Sequence, residues 1–195
     1  MKNTKIIVKT KNKSYPVYFG NKIIKLTGFI IKKNLPGVKK ICIICDKSVP
    51  ALFLEIIKKS LKKYKIKIYK LSSSEKIKTI KVANSLIEDL LKYNLNRSDC
   101  IISIGGGVIG DLTAFVASVI KRGVKFINIP TTLLSQVDAS VGGKTGLNSN
   151  KGKNLVGTFY QPDSVISDIS FLKSLPKREI ICGYGEILKH SLISD

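Results

Sequence analysis

Between Ser103 and Asn154 the sequence places small and charged residues where a core would require apolar bulk. An apolar run, Ile101 to Ile104, is followed by three consecutive glycines, and a fourth, Gly110, opens a stretch of helical pattern. Glycine in such a turn lets the backbone approach a ligand and present amide N–H groups to an anion. Hydroxyl, carboxylate, ammonium and amide groups follow the next predicted strand, at Thr131, Thr132, Asp138, Lys144, Lys153 and Asn154. This mixture predicts a site for a nucleotide and a phosphate group.

The glycines form the pattern G-x-G-x-x-G from Gly105 to Gly110, after a predicted strand and before a predicted helix. That context is the one a dinucleotide-binding turn requires. The acidic residue that would grip a ribose is missing, because the next strand ends in Asn128-Ile129-Pro130. Asp46, at the end of another predicted strand, is a second candidate for the ribose, and a turn or helix-capping role is the alternative. Dinucleotide binding and generic phosphate binding both fit this pattern.

Further polar residues have an ordinary interpretation beside a functional one. Lys144 and Lys153 lie in the glycine-flanked segments GGKTG and KGKN, where lysine can reach an anion, although a solvated side chain is the ordinary reading in so lysine-rich a chain. Glu186 and His190 lie four residues apart on the last predicted helix and could chelate a metal, or form only an exposed pair. His190 is the only histidine, so no Ser-His-Asp or Cys-His arrangement is indicated.

The elements that must position these residues alternate as in an α/β domain. Strands are predicted over Ile6–Thr10, Tyr15–Phe19, Ile41–Cys45, Ile66–Leu71, Cys100–Ile104, Lys125–Ile129 and Ser164–Ser167. Helices are predicted near Lys22–Lys32, Ala51–Tyr64, Lys78–Tyr93 (capped by Ser72–Ser74), Asp111–Ile120 and Glu179–Ile193. After Pro130 the chain becomes rich in Gly, Thr, Ser and Asn, which predicts a long functional loop.

Composition excludes several classes of function. The net charge of +21 comes from 34 basic residues, all lysine except three, scattered among Ile and Asn. These residues share A/T-rich codons, and no aromatic-rich strand or recognition helix accompanies them, so we expect no specific nucleic-acid partner. No apolar run approaches the roughly 20 residues of a membrane span, and no secretory signal precedes the domain, which predicts a cytoplasmic protein. Cys42 and Cys45 lie in a buried-strand pattern and point to opposite faces, so we interpret all four cysteines as small hydrophobic residues.

Four long motifs together resemble the 3-dehydroquinate synthase family, within the sugar phosphate cyclases. They are GGGVIGDLTAF, RGVKFINIPTTLLSQVDASVGGKTGLN, GKNLVGTFYQP and LPKREIICGYGEILKH, and the resemblance is strong over 103–193 and looser before that. It implies a Rossmann-like α/β domain followed by an all-α domain, usually in a homodimer, with the active site in the cleft between the domains. Residues 1–178 would then be the NAD-binding domain, and residues 179–195 the first helix of a truncated C-terminal helical domain.

The resemblance also implies a role for each matching residue. NAD would be held by Asp46, Ser73, Ser74, Glu75, Lys76, Ile77, Lys78, Gly107, Val108, Ile109, Gly110, Asp111, Thr131, Thr132, Lys144, Lys153, Phe171, Leu172, Lys173 and Ser174. The substrate phosphate would meet Lys144, Asn154 and Arg122 of the partner subunit. Asp138 and Lys189 would face the reacting carbons, and Glu186 would be one of three ligands of a divalent metal, zinc or cobalt.

The implied reaction converts 3-deoxy-D-arabino-heptulosonate 7-phosphate to 3-dehydroquinate, through transient oxidation by NAD, β-elimination of phosphate, reduction and an intramolecular aldol closure. This sequence departs from the family in two places. The D-G-E-x-x-K loop reads S-S-E-K-I-K at 73–78, which is expected to loosen adenosine binding. The family's other two metal ligands are histidines beyond residue 195, and His190 matches neither.

These departures leave alternatives open. We expect the chain alone to be truncated and inactive, with a separately encoded helical half as one possibility. Other sugar phosphate cyclases and a glycerol-dehydrogenase-like oxidoreductase are alternative functions, although GGKTGLN and GKN favour the synthase. A non-catalytic NAD-binding or nucleic-acid-binding remnant is an alternative of another class. Without a helical domain, the apolar face of the last helix is expected to favour aggregation.

Overall fold

A seven-stranded sheet runs through the molecule, and the computed structural model describes residues 3–193. The strands are β1 (Thr4–Lys9), β2 (Ser14–Gly20), β3 (Lys40–Asp46), β4 (Lys65–Leu71), β5 (Cys100–Gly105), β6 (Lys125–Pro130), β7 (Leu147–Ser149), β8 (Gly152–Val156) and β9 (Ser164–Asp168). The helices are α1 (Thr27–Asn34), α2 (Ala51–Ser60), α3 (Ile80–Lys92), α4 (Gly107–Val119) and α5 (Lys177–Ile193). Residues 194 and 195, which complete the predicted segment 179–195, lie outside the described residues.

The main sheet has the order β1-β2-β9-β6-β5-β3-β4, and only the β1–β2 pair is antiparallel. The chain moves outward from β3 to β4 and then returns to the other side of β3 as β5. The carboxyl ends of β3 and β5 therefore flank a topological switch point, where open α/β sheets bind ligands. This arrangement confirms the predicted α/β Rossmann-like class. It also predicts that a ligand would bind at the carboxyl ends of the strands.

The core lies in two layers, one on each face of the sheet. Cys45 packs in one layer and Cys42 in the other, which confirms the predicted opposite orientations. Burial raises the pKa of Cys42 to about 12 and that of Cys45 to about 11, so both remain neutral thiols at physiological pH. Of the four cysteines, which we interpreted as small hydrophobic residues, Cys42, Cys45 and Cys100 are buried and Cys182 is exposed on α5.

The structure corrects three local predictions. α4 begins at Gly107 rather than at Asp111, so the glycines form its first turn and Gly106 is its N-cap. Thr79, and not Ser72–Ser74, caps α3, because its hydroxyl accepts a hydrogen bond from the Val82 amide at 3.3 Å. The region after Pro130 is not all loop. It contains a π-helical turn at Ser135–Ala139 and the antiparallel β7–β8 hairpin.

Asp168, at the end of β9, forms hydrogen bonds with the segment that precedes α1. Its buried carboxylate accepts hydrogen bonds from the amides of Lys22, Ile24 and Ser170 at 2.9, 3.0 and 2.9 Å. The hydroxyl of Ser170 donates a fourth at 2.6 Å. Of the three amides, that of Ile24 is buried, so Asp168 supplies an acceptor where solvent has little access.

Replacing Asp168 with alanine is expected to lower the free energy of unfolding by about 3 kcal/mol, because it leaves the buried Ile24 amide and two part-buried amides without this acceptor. Urea unfolding would measure the loss, with Glu88→Ala on the exposed face of α3 as the matched control. A difference below about 0.5 kcal/mol between the two variants would contradict this role of Asp168.

Among the helices of residues 3–193, none combines the length and the apolar character that a bilayer crossing requires.

Candidate functional site

Two adjoining cavities open at the carboxyl ends of the parallel strands. The larger, called here the strand-end cavity, has a volume of about 970 Å³ and lies between the ends of β3, β5 and β6 and the start of α4. The smaller, called here the hairpin cavity, has a volume of about 490 Å³ and lies beside β7 and β8. Asp111 and Asn154 line both cavities and so form the wall between them. Each volume is within the usual range for a small-molecule site.

The glycines at the start of α4 form one wall of the strand-end cavity. A Cβ atom at Gly105 would lie 2.7 Å from the Cβ of Ile109, and one at Gly106 would lie 3.1 Å from the Cγ2 of Thr132. These close contacts favour glycine, which has no side chain, at both positions. Gly106, Gly107 and Val108 line the cavity. The first residues of the 13-residue helix α4 thus border this space, and the N-terminus of such a helix favours an anion.

Asp46, at the end of β3, has the contact of a turn residue and also lines the strand-end cavity. Its Oδ1 accepts a hydrogen bond from the Ser48 amide at 2.9 Å, as a turn residue would. The same carboxylate, 7% exposed, lines the strand-end cavity opposite the α4 glycines. An acceptor in this position can bind the hydroxyl groups of a ribose. Thr131, Thr132 and Phe171 line the same cavity.

Lys78 joins the two cavities from within their shared wall. Its side chain is buried, and its ammonium donates hydrogen bonds to Asp111 Oδ2 at 2.7 Å and to Asn154 Oδ1 at 2.6 Å. Burial raises the pKa of the Asp111 carboxyl above its ordinary value, and the hydrogen bond from Lys78 opposes that rise. The ammonium therefore helps to keep a half-buried carboxylate charged between the cavities.

The β7–β8 hairpin is held against the Lys78 segment by further hydrogen bonds. The Asn148 amide donates to the Lys78 carbonyl at 2.6 Å, and its side chain donates to Glu75 Oε2 at 2.8 Å. Asn154 has φ 57°, a left-handed conformation that asparagine tolerates better than most residues. Its backbone N–H donates a hydrogen bond to Asn148 Oδ1 at 3.0 Å. This backbone conformation presents the Asn154 side chain to Lys78.

Lys144 enters the hairpin cavity from a tight turn. The two residues before it, Gly142 and Gly143, have φ of 99° and 70°, where an L side chain is strained. A Cβ at Gly143 would also lie 2.6 Å from the Cδ of Gln161. The turn therefore needs glycine and brings the exposed Lys144 ammonium to the cavity that Asn154 lines. An ammonium beside an amide and the hydroxyl of Thr158 is suited to a phosphate group.

The π-helical turn and α5 bring three potential metal ligands together. One ligand atom from each of Asp138, Glu186 and His190 lies within 4.8 Å of the other two. Lys189 also contacts Glu186 Oε1, and His190 Nε2 lies 3.1 Å from that same oxygen. The hydrogen bond from Lys189 lowers the pKa of Glu186, and the same contact raises the pKa of Lys189. Two carboxylates and an imidazole are a donor set that fits a divalent cation such as zinc.

The close approach of α5 to the π-helical turn depends on Gly183. A Cβ at this position would lie 2.5 Å from the Cβ of Leu133 and 2.7 Å from the Leu134 amide nitrogen. Gly185 lies two residues further along the same helix and is exposed, and no heavy atom lies within 4 Å of a Cβ built there.

We expect Gly183→Ala to lower the free energy of unfolding by about 1–3 kcal/mol, because α5 must move away from the turn. The matched change Gly185→Ala should be neutral or stabilising by up to about 1 kcal/mol, since alanine favours the helix. Thermal and urea unfolding of both variants would measure the difference. Equal stability of the two would show that α5 does not dock through Gly183.

The structure brings most of the sequence-predicted residues to the two cavities. The strand-end cavity is lined by Asp46, Ser73, Glu75, Lys78, Gly107, Val108, Asp111, Thr131, Thr132, Phe171 and Ser174. The hairpin cavity is lined by Asp111, Asp138, Lys144 and Asn154. Predicted residues outside both linings are Ser74, Lys76, Ile77, Ile109, Gly110, Lys153, Leu172, Lys173, Glu186 and Lys189, and also Arg122. Ile109, for example, is fully buried in the core.

Arg122 lies apart from this site, beside a separate cavity of about 560 Å³ that it shares with Arg97 and Tyr160. Sequence reasoning missed several lining residues that carry no distinctive chemistry, among them Val49, Pro50, Leu134, Leu155, Phe159 and Pro176. Only their nearness to predicted strand ends or to the glycine-rich segment could have suggested them.

Comparisons with known proteins show the family of this chain. The family model described as "3-dehydroquinate synthase N-terminal" matches residues 68–182. A 3-dehydroquinate synthase of Pelagibacter ubique is 52% identical over 190 residues, which cover 97% of this chain and 52% of that protein. The chain thus spans about half the length of the curated relatives it matches.

Two solved structures share the fold. A 2-deoxy-scyllo-inosose synthase complexed with carbaglucose-6-phosphate, NAD+ and Co2+ has 26% identity and a TM-score of 0.91, over 98% of this chain and 52% of that one. ValA, a 2-epi-5-epi-valiolone synthase from Streptomyces hygroscopicus with NAD+ and Zn2+ bound, has 26% identity and a TM-score of 0.81, over 94% of this chain and 51% of that one.

Proposed function

The chain belongs to the 3-dehydroquinate synthase family, and on that premise we propose that it forms the nucleotide-binding half of a 3-dehydroquinate synthase. Such an enzyme is a phosphate lyase that converts 3-deoxy-D-arabino-heptulosonate 7-phosphate into 3-dehydroquinate. The observation that carries the proposal is the shared wall of the two cavities. A glycine-lined cavity adjoins a lysine-lined one, and Asp111, Lys78 and Asn154 lie between them.

In this proposal the strand-end cavity binds NAD. The α4 N-terminus meets the pyrophosphate, and Asp46 accepts hydrogen bonds from ribose hydroxyls. Both solved relatives carry NAD+, which supports the assignment. When bound, the cofactor accepts a hydride from a secondary alcohol and later returns it. Residues 1–178 are then the NAD-binding domain, and α5 begins a helical domain.

The hairpin cavity is proposed to hold the sugar phosphate. It lies across the shared wall from the strand-end cavity, which is proposed to hold NAD. Lys144 and Asn154 would bind the phosphate together with Arg122 of the partner subunit, which requires a homodimer. Asp138 and Lys189 would face the reacting carbons. Glu186 would ligate a divalent metal, which supplies a Lewis acid to the alcohol. The complex of a relative with carbaglucose-6-phosphate, NAD+ and Co2+ supports this division.

The residues of the wall have a defined task in this scheme. Asp111 and Asn154 face both ligands, and the Lys78 ammonium fixes their side chains at 2.7 and 2.6 Å. Holding these groups before the ligands arrive lowers the reorganisation that binding and reaction require. Lys144 supplies the positive charge that a departing phosphate dianion needs.

Two measurements test the proposal in sequence. Calorimetric titration of the chain with NAD+ should show one site, and absence of binding by a folded chain would refute the nucleotide assignment. A chimera that joins this chain to the second half of the Pelagibacter ubique relative should then release phosphate from the heptulosonate phosphate. Release from glucose 6-phosphate instead would favour another sugar phosphate cyclase, and NAD-dependent oxidation of glycerol would favour the dehydrogenase alternative.

A further inference from the structure

The turn that follows α4 has a left-handed backbone at three consecutive residues. Lys121, Arg122 and Gly123 have φ of 52°, 59° and 110°, and only the last of them is glycine. Residues 121–123 are called here the arginine turn. Residues with a side chain adopt this conformation rarely, and it persists only where the surrounding structure holds it. A restraint from outside the turn is therefore needed to fix the position of Arg122.

Tyr160 supplies such a restraint. Its hydroxyl donates a hydrogen bond to the Val124 carbonyl at 2.6 Å, directly after the turn. A Cβ at Gly123 would lie 3.1 Å from the same hydroxyl oxygen, so the phenol lies against the turn itself. Burial raises the pKa of Tyr160 to about 12, so the hydroxyl keeps its proton at physiological pH. Arg122 is exposed, and its position therefore depends on the backbone that Tyr160 holds.

The backbone of Tyr160 is bonded to a second turn, at residues 142–144, called here the lysine turn. The N–H of Tyr160 donates a hydrogen bond to the Gly143 carbonyl at 2.7 Å. The preceding residue, Phe159, pairs with Lys144 in an antiparallel bridge. Tyr160 therefore contacts the lysine turn through its backbone and the arginine turn through its hydroxyl.

We propose that Tyr160 is a positioning residue that holds the arginine turn in a fixed place relative to the lysine turn. The inference rests on the proposed function, in which Lys144 binds the substrate phosphate of its own subunit and Arg122 reaches the phosphate held by the partner subunit. Recognition of a phosphate by a guanidinium depends on geometry, so a shift of the turn would weaken it. Tyr160 acts through Arg122 and does not itself touch the substrate.

The first test is hydrogen exchange of the full chain and of its Tyr160→Phe variant, which lacks only the hydroxyl. The amide of Gly123, which donates to the Ile120 carbonyl at 2.9 Å, and the amide of residue 160 should exchange at least about fivefold faster in the variant. Amides of β5, in the interior of the sheet, should not change, which shows that the variant is folded. Unchanged exchange at either turn amide would overturn the proposal.

Tyr93→Phe is the matched control for this measurement. Tyr93 packs against the same core layer as Tyr160, but its ring lies beside Lys40 and Lys67. Loss of its hydroxyl should leave exchange in both turns within about twofold of the parent chain. An equal increase in the two variants would contradict a specific role of the Tyr160 hydroxyl.

The second test uses the chimera described under Proposed function. Tyr160→Phe should raise KM for the heptulosonate phosphate at least about fivefold and leave kcat within about twofold, because phosphate binding is weakened in the substrate and in the transition state alike. In an Arg122→Gln background the same substitution should change KM less than about twofold, since Tyr160 acts through Arg122. Additive effects of the two substitutions, or an unchanged KM in an active chimera, would overturn the proposal.

The two tests separate this inference from the proposed function. Faster exchange in Tyr160→Phe, together with a chimera that releases no phosphate even with the parent sequence, would count against the synthase assignment and leave the link between the turns supported. An active chimera whose Tyr160→Phe variant exchanges like the parent would do the reverse.

Discussion

Replacing Lys78 with methionine is expected to weaken NAD+ binding at least about 30-fold, which corresponds to about 2 kcal/mol. Methionine keeps much of the apolar stem but removes the ammonium that donates to Asp111 at 2.7 Å and to Asn154 at 2.6 Å. Asp111 is then left half-buried without the ammonium that contacts it, and a carboxylate in that state is costly. Calorimetric titration would measure the change.

Lys81→Met is the matched control, because it removes an exposed lysine from the first turn of α3 and should leave NAD+ affinity within about twofold. Equal affinity of the Lys78 and Lys81 variants would contradict the role of the wall. In the chimera with a second half, Lys78→Met should also lower kcat, since Asn154 would lose its fixed position.

The same substitution changes the pH dependence of stability in a direction that can be worked out. The pKa of Asp111 is raised in the folded chain, chiefly by burial, so the folded state binds more protons than the unfolded state above the ordinary pKa of an aspartate. Stability contributed by this group is therefore lost as pH rises. Without the opposing hydrogen bond from Lys78, the raised pKa moves higher still.

We therefore expect Lys78→Met to lose more stability than the parent chain as the pH rises above the ordinary pKa of an aspartate. Urea unfolding across that range would measure it, and adding Asp111→Asn should abolish the additional slope. A pH profile of Lys78→Met parallel to that of the parent would show that Asp111 does not depend on Lys78.

The second large effect is expected at Gly106, where valine should reduce NAD+ affinity at least about 100-fold. The backbone there is extended, with φ −75° and ψ −172°, so valine is not strained by its conformation. The effect comes from contact. The added Cβ would lie 3.1 Å from Thr132 Cγ2, and the branched methyl groups would cover the first amides of α4 where the pyrophosphate is proposed to bind.

Gly37→Val is the control for this prediction, because Gly37 is an exposed turn glycine with no heavy atom within 4 Å of an added Cβ. NAD+ titration of both folded variants would decide the matter. Affinity of Gly106→Val within about threefold of the parent would mean that the nucleotide does not approach α4 through its glycines.

Much of the fold could be predicted because its signals are local. A continuous apolar run such as Ile41–Cys45 indicates a strand buried on both faces, and the structure extends it by only one residue at each end. The glycine pattern indicated a strand, a tight turn and a helix because few other structures need three glycines there. The helix cap was missed at Thr79 because a short 3₁₀ turn, Glu75–Ile77, separates it from the serines that looked like caps.

The contacts in the wall between the cavities could not be predicted from local sequence patterns. Lys78 was implied as a nucleotide contact only by family resemblance, and nothing in its neighbourhood indicates that it bonds to Asp111 and Asn154, which are 33 and 76 residues away. The hairpin that carries Asn154 was expected to be irregular, since β7 has only three residues and little apolar pattern.

The sequence by itself determined the α/β class, the strand positions, the glycine turn and the types of side chain available for chemistry, because each depends on a short periodicity or on backbone freedom. The tertiary structure alone decided which of these side chains meet. Asp138 reaches Glu186 and His190 only because Gly183 allows α5 to contact the turn at Ser135–Ala139. Such contacts join residues far apart in the chain, and their energy depends on packing that no local pattern records.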